Sequence, residues 1–551
     1  MKSGSTLSAE LAAPPAPPTA PGARWPAADL LQLAGALALG ACALLPVGYL
    51  LVAALPILFD GGWLLHFAST SLPHQARMSL WVALEASAVA FAVGAVPAVV
   101  VSRHEFPGRR VVTALALLPL LFAPYVTAGL WTVRYSATFL ESWHALAIQH
   151  GLTCSPYLFV VFRIAAARVP TAFAELAASL GLGPWQRLWR VHAPAYSVPA
   201  AAGLMIVFAQ AVGDYAAAER LGIDTLSVGV HNLWLASQSS AVAAIVSVVM
   251  IVPSVLLVAV AAWASTAIMS QNPVAPAAAA ASRKPLARPW AWALLAYSGL
   301  WSLVSFWVPE ALVIDWTVQR WKRTNFAAIP GDMLNAAGTS LCTALLVGLV
   351  CAATALLLRS GGRSRLAERM PWLFLANYFL PSLVLALAFV MMSRDGAVLA
   401  QWLGPLRDTR LLVVVTEALR YLPFAMLPML DALRRTPPAG IELARAFGAG
   451  ALRARWVAFA GHVVPALVLG CALVFMESVK ELDLSLMLQP FGYSSPALKI
   501  YAFSRHQNMD RAAVWVLISQ ALMLLPLLVL WWRIDQLGTV PRGPVAKPAG
   551  A

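Results

Sequence analysis

The chain has 551 residues, of which 60% are hydrophobic and 11% charged, and it carries a formal net charge of +14. Soluble domains hold about 25% charged residues, so this composition points to a polytopic membrane protein. The basic excess then serves membrane orientation rather than a nucleic-acid partner, and the long, continuously apolar runs argue against a β-barrel, whose strands are short and alternating.

Residues 1–28, rich in Ala and Pro, read as a disordered cytoplasmic tail rather than a signal peptide. Twelve apolar stretches long enough to cross a bilayer as helix follow. In the first half they are 30–58, 78–101, 111–133, 152–168, 196–214 and 240–268. In the second they are 290–308, 336–358, 371–392, 409–431, 463–482 and 512–532. An Ala/Pro linker with basic residues, 269–289, divides a first unit (29–268) from a second (290–535), and 536–551 form a second cytoplasmic tail. The expected fold class is therefore all-α. Most Lys and Arg fall in the tails, the linker, SRHEFPGRR, RSGGRSRLAER and the segments after spans four and ten, which places both termini in the cytoplasm. The outer loop 309–335, with Arg320, Lys322 and Arg323, runs against that trend. Six spans per half give both halves one orientation, as parallel repeats. The five cysteines are scattered among apolar runs, with neither metal spacing nor a disulfide framework.

One polar segment occurs twice: PTAFAELAASLGLGPWQRLWRVHAPAYSVP from Pro170 and PPAGIELARAFGAGALRARWVAFAGHVVP from Pro437. Glu175 and Glu442, Gly181 and Gly448, and Trp189 and Trp456 are each 267 residues apart, as are Pro156 and Pro423 upstream. Good helix formers precede each Gly, and an Arg- and Trp-bearing piece follows it. A Gly with φ > 0 between two short helices gives a compact helix–turn–helix on the inner face. An interfacial amphipathic helix is the plainer reading, but headgroup anchoring demands no fixed Glu-to-Gly spacing.

Glu-x-Ala-x-x-x-Gly with a Pro nineteen residues after the Glu resembles the cytoplasmic loop of permease subunits of binding-protein-dependent ABC importers. Glu175, Ala177, Gly181 and Pro194 match it; Glu442, Ala444 and Gly448 match too, with Gly461 where the second Pro is expected. The stretches SRHEFPGRR, LLPLLFAPYVTAGLW, VGDYAAAERLGIDTLSVGVHNLW and FMESVKELDLSLMLQPFGYSSPALKIY look like the fused, double-length permeases of ferric-iron importers. These stretches do not separate iron from relatives that move thiamine, polyamines or phosphonates. The resemblance implies that these loops dock on an ATPase subunit, with Glu175, Gly181, Glu442 and Gly448 as coupling residues. It also implies two copies of that ATPase, a periplasmic binding protein and a bacterial inner-membrane location.

The chain has no Gly-rich loop ending in Gly-Lys-Ser or Gly-Lys-Thr, no His/Cys metal cluster and no nucleophile–base pair, so the expectation is a pathway without catalytic site, cofactor or metal. Asp214 at the end of span five, with Glu477, Lys480, Glu481 and Asp483 at the end of span eleven, could form an outer gate or the surface that meets the binding protein. Lys480 stands three residues from both Glu477 and Asp483, so mutual pairing is the plainer reading. Carboxylates also suit a hard cation. Arg420, inside span ten, has no evident partner. A proton-coupled secondary transporter of six plus six spans shares the parallel-repeat plan, but gives no reason for the spaced Glu and Gly of the loops.

Overall fold

A computed structural model of the chain describes residues 27–59, 62, 69–135, 138–166, 171–237, 248–251, 283–358, 374–394, 399–435, 438–461 and 463–536. These are helical apart from turns and one short parallel pairing, His104–Glu105 with Lys284–Pro285. Among the described residues, eight helices are long and apolar enough to cross a bilayer, or up to ten if each of two bent pairs is one span. The expected twelve are not all visible for a definite reason. Nearly all of 240–268, the start of 371–392, most of the linker and most of both tails lie outside the described residues.

Three expectations are corrected. The span expected over 111–133 is not one helix: Arg109–Leu121 meets Pro124–Arg134 at an 84° bend. Pro124 has no N–H to donate and forces the preceding Ala123 into an extended conformation, φ −87° and ψ 148°. The second half breaks likewise: Phe374–Phe379 ends, Pro381 is extended, and Ser382–Met392 begins. Second, residues 309–320 are not an outer loop. Arg288–Ser302 continues through a π-turn, Leu303–Trp307, into Val308–Arg320. Arg320, one of the basic residues against the charge trend, pairs with Asp510. Third, the fourth span begins at Trp143 rather than near residue 152.

The two halves are built alike. Leu72–Arg103, Trp143–Ala166 and Ala193–Gly213 pack against one another, and so do Ile329–Leu358, Arg410–Arg435 and Val463–Lys480. The short helices Ala216–Leu221 and Asp483–Leu488 begin and end 267 residues apart. Close helix crossings repeat as well. A Cβ on Gly203 would meet the Leu158 side chain at 2.7 Å, and one on Gly470 would press still closer on Ala425 Cα. Both members of these two contacts differ by the same 267 residues, so the same small-residue notch seats the same pair of helices twice.

The halves interlock. Ala27–Leu58 of the first half packs against Ile329–Leu358, Phe374–Phe379 and Ser382–Met392 of the second, while Arg288–Ser302 of the second packs against Leu72–Arg103 and Arg109–Leu117 of the first. At one end, Arg109 Nη2 and Arg110 Nε reach Asp535 at 2.5 and 3.2 Å, tying the last helix to the first half. Arg283, where the described chain resumes within the linker, pairs with Glu105 at 3.2 Å.

Candidate functional site

Residues at equivalent positions of two repeats touch only where the axis relating the repeats passes between them. Among the described residues, two such contacts are seen. Gln210 Nε2 donates to Glu477 Oε2 at 3.3 Å across 267 residues, and the rings of Tyr157 and Phe424, also 267 apart, lie 5.9 Å from centroid to centroid. Beside them is a cavity of about 70 Å³ between the halves. Asp214, Glu477, Lys480, Glu481 and Asp483, named from sequence as gate residues, all line it. So do Tyr157, Gln210, Arg420 and Tyr421, together with Phe122–Tyr125 and Ser382 at the two helix breaks.

The five charged residues have different tasks. Asp214 Oδ1 accepts from Ala217 N at 2.7 Å, and Glu481 Oε1 accepts from Leu484 N at 2.9 Å. These are the same bond in each half: a carboxylate satisfies a free N–H at the start of Ala216–Leu221 and of Asp483–Leu488. Each acid has a second partner from the neighbouring span, His150 Nε2 at 3.0 Å from Asp214 and the Tyr421 hydroxyl donating to Glu481. Asp483 Oδ2 accepts from Tyr215 N at 3.4 Å, across the halves. The polar contacts of the Glu477 and Lys480 side chains among the described residues are, by contrast, with other side chains. Lys480 Nζ lies 2.6 Å from Glu477 Oε1, 3.4 Å from the Tyr157 oxygen and 5.9 Å from the centre of its ring. Tyr157 donates to Glu477 in turn. The pairing of Lys480 with Glu477 holds; Lys480 is not paired with Asp483.

Arg420 acquires partners that its sequence context did not suggest. Its Nη1 donates to Leu380 O at 2.5 Å, and its guanidinium stands 5.8 Å from the rings of Tyr378 and Tyr421. It thereby holds the carbonyl just before the Pro381 break. The sequence reading passed over His150, Tyr157, Gln210, Tyr421 and Glu417. Glu417 is buried and accepts from Thr343 Oγ1 at 3.1 Å and from Ser478 Oγ at 2.5 Å. The signal that could have found them is the repeat itself: His150 and Glu417 share one register position, and Tyr157 lies next to the aligned Pro156. Among the described residues, no group of three or more His, Cys, Asp or Glu is arranged to hold a metal ion.

The repeated segments form a second site at the far end of the same helices. Thr171–Ser179 and Pro438–Ala446 are the first arms. Gly181 and Gly448 follow with φ of +75° and +82°. Leu182 N donates to Ala177 O at 3.1 Å, and Ala449 N to Ala444 O at 3.1 Å, the closing bond of a left-handed helix cap in both loops. The second arms are Pro184–Arg187, which runs through a π-turn into Ala193–Gly213, and Ala451–Ala460. Glu442 is exposed; Glu175, also exposed, pairs with Lys284 at 3.0 Å. Ala177 is buried, Ala444 half-buried and Pro194 exposed. Leu176, Leu180, Trp185 and Trp189 on one loop, and Leu443, Phe447, Trp456 and Val457 on the other, are exposed, Phe447 at 83%.

Residues 77–270 match the family described as the binding-protein-dependent transport system inner membrane component. Among curated relatives, the chain is 26% identical over 168 residues to sulfate permease 2, chloroplastic, of Chlamydomonas reinhardtii, covering 28% of this chain and 45% of that one. It is 24% identical over 155 residues to the sulfate transport system permease protein CysT of Escherichia coli (strain K12), covering 26% and 56%. It is 30% identical over 152 residues to the probable molybdenum ABC transporter permease protein HVO_B0370 of Haloferax volcanii, covering 26% and 56%. The chain spans about half the length of the curated relatives it matches.

Proposed function

We propose that this chain, which carries a binding-protein-dependent permease segment over residues 77–270, forms the two-fold pathway of an ABC importer, both halves in one polypeptide, and that its cargo is a cation, with ferric iron as the candidate. The repeated loops are its contacts with two cytoplasmic ATPase subunits. A periplasmic binding protein delivers the cargo on the opposite side of a bacterial inner membrane, and both termini are cytoplasmic.

Geometry supports the mechanical reading. Ala193–Gly213 and Val463–Lys480 each have a repeated loop at one end and the axial cavity at the other. At about 1.5 Å per residue these helices span some 30 Å between loop and cavity, the first of them bending by 57° where Pro184–Ser197 meets Pro199–Gly213. Displacing Glu175, Gly181, Glu442 or Gly448 therefore moves the ends that bear Asp214, Glu477 and Lys480. The two loops stand in one register and expose apolar side chains at matching places, which suits a paired motor better than a proton-driven rocking of two bundles.

The cation reading rests on one observation: four carboxylates but only two cationic side chains line the cavity. Tyr125, Tyr157 and Tyr421 add oxygen atoms, and carboxylate and oxygen donors suit a hard cation. The sulfate and molybdenum relatives give a second reading, an oxyanion cargo, for which Lys480 and Arg420 would be the attracting groups. That reading is weaker because the four carboxylates outnumber these two cations, one of which, Lys480, is already matched by Glu477. The test is ATP-driven uptake into vesicles holding the complete system, with labelled ferric citrate, sulfate, molybdate, thiamine and a polyamine in parallel. Ferric uptake alone supports the proposal; sulfate or molybdate uptake with no ferric uptake overturns the cation reading.

A further inference from the structure

The Glu477–Lys480 ion pair belongs to one half only. The first half has Gln210 and Gly213 at the two positions, and Gly213 sits against Pro381, whose Cα a Cβ would meet at 3.3 Å. Ala193–Gly213 forms the same helix as Val463–Lys480 without the pair, so folding of that helix does not demand it. Nor does burial favour it: removing two charges from water costs about as much as their attraction returns. An ion pair that the twin helix lacks, placed on the axis where both halves meet, calls for a reason in transport.

Position supplies one. Lys480 lines the 70 Å³ cavity and also an adjoining one of about 10 Å³ walled by Val126, Ile500, Val516 and Met523. The residues common to both are Phe122, Ala123, Tyr125 and Lys480, so Lys480 stands at the junction, beside the Pro124 break, with its ammonium turned to Glu477 and Tyr157. Its partner Glu477 is secured independently by the Tyr157 hydroxyl and Gln210. The carboxylate would thus stay in place if the ammonium left. Lys480 itself hangs on a flexible four-carbon stem and makes its closest contact with that carboxylate.

We infer that Lys480 is a tethered counter-ion: it occupies the cation position at Glu477 when the pathway is empty, and the travelling cation displaces it. This rests on the cation reading above. It makes the second half the selective one, since only a cation that binds Glu477 better than the tethered ammonium passes, and it predicts that the carboxylate-rich cavity of the parent chain holds back monovalent ions.

The test uses the full chain in liposomes without ATPase, binding protein or cargo, with a Na⁺-sensitive dye inside. K480G is expected to raise Na⁺ leak at least about tenfold over the parent chain, the factor that one ordinary charged hydrogen bond is worth. E477Q/K480G, which installs the residues of the first half, is expected to return leak to the parent level, because it removes the attracting charge together with the plug. Equal leak from the parent and K480G overturns the inference. So does equal leak from K480G and the double variant. Should K480G not insert folded, as judged by its melting curve, K480M carries the same two comparisons. Failure of the cation reading is seen elsewhere, as absent ferric uptake by the complete system, and does not alter these leak ratios.

Discussion

Gln210 and Glu477 hold one register position in two halves of the chain, and the amide of the first donates to the carboxylate of the second at 3.3 Å. A neutral residue facing its charged twin breaks the symmetry where the repeats touch. The choice is physically constrained, since two facing carboxylates could not both remain ionised in a buried site. Gln210→Glu is therefore expected to lower the melting temperature of the purified chain, by the equivalent of about 1–3 kcal/mol for a buried bond turned into a repulsion. A variant as stable as the parent would mean that the axis does not pass between these residues.

The glycines divide into two mechanical kinds, and alanine separates them. Gly181 and Gly448 have φ > 0 and open space where a Cβ would go. Alanine there costs about 1 kcal/mol of backbone strain and no packing. Gly470 has ordinary helical φ, but its Cβ would press on Ala425 Cα. Alanine there must push the two helices apart, at about 1–3 kcal/mol. Gly470→Ala is thus expected to lower the melting point more than Gly181→Ala and Gly448→Ala do singly. The reverse order would count against this helix crossing.

Arg420 is buried and bonds to Leu380 O, the carbonyl freed by the break at Pro381. Arg420→Met leaves that carbonyl unsatisfied and strips a cation from a cavity already rich in carboxylates. A loss of about 3 kcal/mol or more is expected, as when one partner of a buried charged contact is removed, measured by thermal or denaturant unfolding in detergent. Arg420→Lys keeps the charge but not the fork that meets both the carbonyl and the two tyrosine rings, so only partial recovery is expected.

Hydropathy and the 267-residue repeat carried the all-α membrane fold, the paired loops and five of the six charged residues of the cavity, because each leaves a one-dimensional trace. The helix breaks at Pro124 and Pro381 were legible in principle, but an uninterrupted apolar run masked them. Residues 309–320 misled because Glu310, Asp315 and Arg320 read as loop while Glu310 and Arg320 have partners on the last helix, Gln520 and Asp510. Which charges share a cavity was not legible. Tyr157 meets Glu477 across 320 residues, where the two halves interlock, and Arg420 meets Leu380 across 40 residues within the second half, contacts that only the packed helices create.

The exposed faces of the repeated loops separate docking from stability. Trp185, Leu180, Phe447 and Trp456 pack against little within the chain, so replacing each by Ala is expected to change stability by no more than about 0.5 kcal/mol. If these faces grip the ATPase, the same changes should cut its co-purification with the permease at least about tenfold, since buried aromatic anchors carry much of an interface's energy. Glu175→Gln with Glu442→Gln should do likewise. Lys284→Ala offers a control beside the same loop: it frees Glu175 from its 3.0 Å partner, and an exposed ion pair of this kind is worth under about 1 kcal/mol. ATPase capture should therefore stay at or slightly above the parent level. Capture that falls with Lys284→Ala but survives the double Glu change would mean that the linker end, not the repeated loop, is what the motor holds.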